Sequence, residues 1–133
     1  MMLKMFDDDA DSVAVFTGAL GKTIADVGLK HDALHFKFSD GSEMIMIDDD
    51  QICCERRYMR TDDNLADFVG AKLLGAEVKD AQSGPHDDII DGVHDVQFFE
   101  LQTDRGVFTM ASHNEHNGYY GSFRIRAVAA RPS

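Results

Sequence analysis

The chain has 133 residues, with 24 acidic against 13 basic side chains and a formal charge of -11, giving an isoelectric point near 4.7. That length fits one domain, enough chain to bury about two-thirds of its unfolded surface around a single core. The acidic balance opposes binding to nucleic acid or anionic membrane, which needs clustered Lys and Arg, and no run approaches the roughly 18 apolar residues of a spanning helix.

Residues 1–12 are acidic and carry no periodic apolar pattern, so this end is expected to be mobile or loosely docked. Met1 to Phe6 runs into Asp7-Asp8-Asp9 before a signal-peptide core could form, which points to the cytoplasm. Asp7, Asp9 and Asp11 imitate the start of a calcium loop, but Ser12 stands where Gly is needed and Gly18 where the bidentate Glu is needed. Ser12 to Leu20 reads as a short helix. A strand then opens at Gly21-Lys22-Thr23-Ile24 and runs to Leu29. A hairpin follows, Ala33 to Ser39 and Ser42 to Asp48 about Asp40-Gly41.

Leu34, Phe36 and Phe38 alternate with His35, Lys37 and Ser39, the period of a half-buried strand. A two-residue type I′ loop at Asp40-Gly41 would pair Phe38 with Glu43 and Phe36 with Ile45. Ile45 and Ile47 would then face the core, leaving Met44 and Met46 on the other face as a surface for a partner or a dimer.

Asp48 to Arg60 holds an acidic run, the adjacent thiols Cys53 and Cys54, and the basic cluster Arg56, Arg57 and Arg60 around Tyr58. Neighbours in a strand point to opposite faces, so the cysteines form neither an ordinary disulfide framework nor a chelating pair, and two reduced thiols are expected. Thr61-Asp62-Asp63 reads as the capped start of a short helix ending near Gly70.

A second copy of the strand and hairpin follows. Gly70-Ala71-Lys72-Leu73 opens a strand to Val78, and Val96 to Gln102 and Val107 to Ser112 form a hairpin through Thr103 to Gly106. Asp80 to Asp95, with Ser83-Gly84-Pro85, is expected to be an exposed loop. Asn117-Gly118 is a strong hairpin signal. Beyond it Tyr119, Gly121, Phe123, Ile125 and Ala127 share one strand face, and Tyr120, Ser122, Arg124 and Arg126 the other.

The expected fold is one mainly β domain over residues 1–133, with α+β as the neighbouring class and the core at about residues 18–128. Its architecture is a two-copy strand-plus-hairpin arrangement, a sandwich or partly open barrel with one or two short helices.

Two constellations carry possible chemistry. Arg56, Arg57, Tyr58, Tyr119, Tyr120, Arg124 and Arg126 combine guanidinium forks suited to phosphate or carboxylate with rings that stack on a base. The structural alternative is that these arginines simply pair with acidic neighbours on a solvated face. Cys53, Cys54, Glu55, His113, Glu115 and His116 offer sulfur, oxygen and nitrogen ligands for zinc, but their spacing is not diagnostic and His113-x-x-His116 lies on a strand and turn. The sequence shows no nucleophile with a base partner and no phosphate-cradling glycine loop, and no cofactor is expected.

Asp50-Gln51-Ile52-Cys53-Cys54-Glu55 and Asn117-Gly118-Tyr119-Tyr120, with Phe68-Val69-Gly70-Ala71 and Phe98-Phe99-Glu100-Leu101 between them, resemble a family of small uncharacterised proteins from phages and bacterial genomes. The resemblance spans about residues 18–128 and implies a compact phage-type accessory domain without assigned chemistry. His113-Asn114-Glu115-His116 departs from the family pattern.

Three roles compete. The leading expectation is a non-enzymatic binding protein of phage or prophage type that engages a host protein, for instance as an inhibitor of a host factor; mimicry of DNA is a minority version of it, since the acids are dispersed and interleaved with arginines. The others are a binder of a small anionic ligand such as a nucleotide, and a metal-dependent hydrolase.

Overall fold

The computed structural model describes residues 9–48, 56–85, 93–116 and 125–130. Within them the apolar segments form a helix, α1 (Ala10–Ala19), and eight strands. The strands are β1 (Ile24–Lys30), β2 (Ala33–Phe38), β3 (Glu43–Asp48), β4 (Arg56–Arg60), β5 (Leu73–Pro85), β6 (Val93–Thr103), β7 (Gly106–His116) and β8 (Ile125–Ala130). A 3-10 turn at Leu65–Phe68 precedes β5, with the Asn64 side chain accepting from the Ala66 N–H. No described helix is long and apolar enough to cross a membrane.

The strands form two antiparallel sheets, ordered β1-β2-β3-β8 and β4-β7-β6-β5. Each sheet holds one of the two strand-plus-hairpin segments as a three-stranded meander. Its fourth strand comes from elsewhere in the chain: β4 crosses from the first meander to pair with β7, and β8 crosses from the second to pair with β3. The sheets face each other across one apolar cluster and do not close into a barrel. Phe36 of the first sheet meets Phe108 of the second at 6.4 Å between ring centroids, and Phe68 wedges against Phe108 at 4.7 Å. The expectation of a mainly β sandwich is met.

The entries to β1 and β5 hold each other. Gly21 N–H donates to Leu73 O and Gly70 N–H to Ile24 O, both at 2.7 Å, while Ile24 donates to Ala71 O and Leu73 to Lys22 O. Thr23 and Lys72 form an isolated bridge at the centre of this reciprocal set. Gly21 and Gly70 take φ of 84° and 93°, where a side chain would be strained.

The free edge of β8 is covered by α1. Ser12 Oγ accepts the Ala127 N–H at 3.1 Å and itself donates to Asp9, whose carboxylate accepts from Arg126 Nε at 3.0 Å. Ser12, Phe16 and Ala19 lie on the buried stripe of the helix. The helix thus begins at Ala10, two residues before the start read from sequence, because Asp9 and Ser12 are needed to satisfy a strand edge.

Three other expectations are corrected. Leu34 pairs with Met46, Phe36 with Met44 and Lys37 with Glu43, so the first hairpin is one residue out of the expected register. The loop has three residues, not two: Gly41 N–H donates to Phe38 O at 3.0 Å, Phe38 N–H to Ser42 O at 2.9 Å, and Gly41 takes φ of 90°. Asp40 holds this loop by accepting from the Ser42 N–H and hydroxyl and by pairing with Lys22 at 3.0 Å. A one-residue shift exchanges the two faces of a strand. Met44 and Met46 are therefore core residues, 1% and 0% exposed, and Ile45 and Ile47 lie on the half-exposed outer face. The proposed methionine surface for a partner or dimer does not exist.

Secondly, most of Asp80 to Asp95 is not a loop. β5 and β6 extend through it and pair as far as Pro85 with Val93, long cross-strand hydrogen bonding having overridden the local turn residues. Thirdly, β8 does not fold back on β7 as the Asn117-Gly118 signal suggests, since the two strands lie in different sheets. Residues 117 and 118 themselves lie outside the described residues.

The register makes a direct test. Met46→Ala is expected to cost about 2–5 kcal/mol of unfolding free energy, whereas Ile45→Thr costs about 1 kcal/mol or less. Denaturant midpoints of the two variants would separate them, and the reverse order would restore the two-residue loop. A second test concerns Asp40, whose hydrogen bonds from Ser42, aided by Lys22, hold its carboxyl at about 2, below the ordinary 3.8. A depressed folded pKa means its contribution to stability is complete above the unfolded value and fades as pH falls towards about 2. Carboxyl carbon shifts should show Asp40 titrating near 2, and Ser42→Ala should move that midpoint up towards 3.8.

Candidate functional site

β4 is short and basic, and its antiparallel register with β7 decides which side chains meet. Arg56 pairs with Glu115, Arg57 with Asn114, Tyr58 with His113, Met59 with Ser112 and Arg60 with Ala111. Met59, Ser112 and Asn114 are buried on the inner face of the sheet. Strand alternation sends Tyr58, Arg60, Ala111 and His113 to the outer face. There the Tyr58 and His113 rings lie parallel, 4.8 Å apart and within 4° of coplanar orientation. The Arg60 guanidinium sits 4.8 Å from the Tyr58 ring centroid, in the range of a cation–π contact.

Beside this row opens a groove of about 420 Å³, lined by Arg60, Thr61, Asp62, Asp63, Phe98, Thr109, Ala111 and His113. Its floor follows from register. Ala111 pairs with Arg60 on one side and with Phe98 on the other, so a methyl group lies between two long side chains. One end is closed by His113. At the other end the chain leaving β4 continues to cover β7 with side chains in place of a backbone ladder: Thr61 Oγ1 donates to Thr109 O, and Asp63 Oδ2 accepts the Thr109 N–H, both at 2.7 Å. Those bonds fix Thr61 and Asp63 at the rim. Arg60 Nη1 donates to Met59 O at 2.9 Å, and the guanidinium lies 3.6 Å from Asp32 with both side chains about half exposed, an exposed pairing that contributes little to stability.

Asp48 at the end of β3 and Ser112 and Asn114 on β7 are buried polar residues, and Ser112 Oγ has no hydrogen-bond partner among the described residues.

The residues expected from sequence divide into four groups. Tyr58 and His113, drawn from the anion set and the metal set respectively, are brought into contact. Arg56, Arg57, Glu115 and His116 are placed by their backbone on the same strand pair, Arg56 opposite Glu115. Arg126 lies on β8 in the other sheet from Tyr58, its Nε bonded to Asp9. Cys53, Cys54, Glu55, Tyr119, Tyr120 and Arg124 lie outside the described residues. Among the described residues no three His, Cys, Asp or Glu side chains converge as metal ligands.

Sequence reasoning grouped Arg60 with Tyr58 but left it out of the candidate site, and gave Phe98 and Ala111 no site role. The spacing of Tyr58 and Arg60 was a usable signal, since residues two apart on a strand share a face. Nothing in the sequence aligns Ala111 between Arg60 and Phe98, because that requires the registers of three strands.

No curated protein and no solved structure matches the chain. Residues 17–124 match a family described as a domain of unknown function, DUF7448, a span that takes in both meanders and the strand that crosses between them. The chain, carrying its candidate groove wholly within that span, belongs to the DUF7448 family.

Proposed function

We propose that this domain is a non-enzymatic binding protein of the phage-accessory kind, working in the cytoplasm by engaging a protein of the host cell through the outer face of its second sheet. The observation that carries this reading is the His113–Tyr58–Arg60 row beside the open groove. Tyr and Arg are the residue types that dominate binding energy at protein interfaces. Leu74 and Val107 add exposed apolar surface at 48% exposure each, towards the turn that ends β6. The charge of -11 adds attraction for a basic partner. The reciprocal bonds about Thr23 and Lys72 support a related reading, that the two meanders are copies of one duplicated unit.

A second reading is a small anionic ligand. Its support is the groove volume, within the range of about 300–1,000 Å³ usual for ligand pockets, and the half-exposed Arg60 guanidinium at its wall. Thermal stabilisation by a nucleotide that disappears in Arg60→Ala would favour it.

The protein-binding reading predicts that immobilised wild-type chain retains one host protein, that Tyr58→Ala weakens the retained complex by about 2 kcal/mol, and that Ile45→Thr on the outer face of the first sheet leaves it unchanged. Retention lost with Ile45→Thr and kept with Tyr58→Ala would place the interface on the wrong sheet and sink the assignment.

A further inference from the structure

The groove has a shape and a charge that are more specific than a general binding surface. Its floor is the Ala111 methyl, flanked in register by Phe98 and Arg60. A flat group entering between them would lie against the face or edge of a half-buried phenyl ring. At the rim stand Asp62, which is exposed, and Asp63, whose Oδ2 is taken by the Thr109 N–H. A carboxylate has about four lone-pair sites on two oxygens, so Asp63 Oδ1 retains acceptor capacity. Arg60, the guanidinium in the groove among the described residues, is already neighboured by a carboxylate of its own, Asp32 at 3.6 Å, and lies over Tyr58. Among the described residues two further carboxylates then set the local balance, in a chain whose total charge is also negative. An anion would meet net repulsion here; a planar cation would not.

We propose that this slot receives an arginine side chain of the partner protein. The inference rests on the protein-binding reading and names the group recognised. Guanidinium is flat, stacks on aromatic rings and presents a fork of N–H donors that fits carboxylates two at a time. In the slot its face meets Phe98 above Ala111 and its donors meet Asp62 and the remaining oxygen of Asp63. Thr109 and His113 close the two ends and limit how far the stem can slide. A lysine supplies the charge without the plane, and citrulline the plane without the charge. Each should therefore bind less well.

The test uses the isotope-labelled full chain, titrated at low salt with the peptide acetyl-Gly-Arg-Gly-amide, with its lysine and citrulline counterparts, and separately with adenosine monophosphate. The arginine peptide should move the amide signals of Phe98, Thr109, Ala111 and His113 saturably. The lysine peptide should bind several-fold more weakly, and citrulline and the nucleotide should leave these signals in place. Asp62→Asn should weaken arginine binding about tenfold, the loss of one charge-assisted contact. Ala111→Leu should abolish it while keeping the thermal midpoint near that of the parent, since position 111 is only half-buried on the outer face.

Equal binding of citrulline and arginine, or no saturable response to arginine at millimolar concentration, would overturn the proposal. So would nucleotide shifts at these residues that vanish in Arg60→Ala, which would make the groove an anion site. Failure here is separable from failure of the wider reading. If arginine does not bind while Tyr58→Ala still releases the retained host protein, the slot assignment alone falls. If arginine binds and the face variants release nothing, the protein interface lies elsewhere.

Discussion

The fold turns on one reciprocal set of backbone hydrogen bonds, in which the entries to β1 and β5 bind each other about the Thr23–Lys72 bridge. β1 and β5 are edge strands of different sheets, so this contact fixes where one sheet lies against the other. It requires backbone at positive φ on both sides, which Gly21 and Gly70 supply. Two further bonds extend the same lock to the hairpin turns, Ser39 N–H to Thr23 O and Asp104 N–H to Lys72 O. Once the strand entries are set, Phe36, Phe68 and Phe108 fall into the space between the sheets.

The exchange of fourth strands explains why the functional surface is where it is. β4 leaves the first meander and covers the exposed edge of β7, bringing Tyr58 and Arg60 beside His113, Ala111 and Phe98. The opposite exchange brings β8 to β3, and there the helix fills the remaining edge through Ser12 and the Asp9–Arg126 pair. One crossing strand thus assembles a groove, while the other has its edge occupied by α1. The arginine at position 126 has an interaction of its own that stabilises the helix start, and its distance in topology from Tyr58 follows from that division.

Much of the fold was legible because strand alternation and turn chemistry are local. Leu34, Phe36 and Phe38 announce a strand with one buried face, and that face is buried. Ile125 and Ala127 share the core side of β8 as their parity requires. The failures have local causes too. Asp40-Gly41 fits a two-residue loop and equally a three-residue one with Gly41 at its left-handed position, and the choice reverses the faces of β3. Ser83-Gly84-Pro85 contains turn formers, but the ladder between β5 and β6 continues past them.

The sequence alone determined the mainly β class, the strand-then-hairpin order of both meanders, and the apolar stripes of β2 and β8, because each rests on contacts between residues close in the chain. It also grouped Arg60 with Tyr58 in one basic cluster and placed His113 on a strand and turn. Tertiary structure decided the register that makes Met44 and Met46 core, the crossing of β4 and β8, and the alignment of Arg60, Ala111 and Phe98 across three strands. Those features depend on which strand edges pair, and pairing is settled by backbone hydrogen bonds and burial summed over the whole molecule rather than by the preference of any one segment.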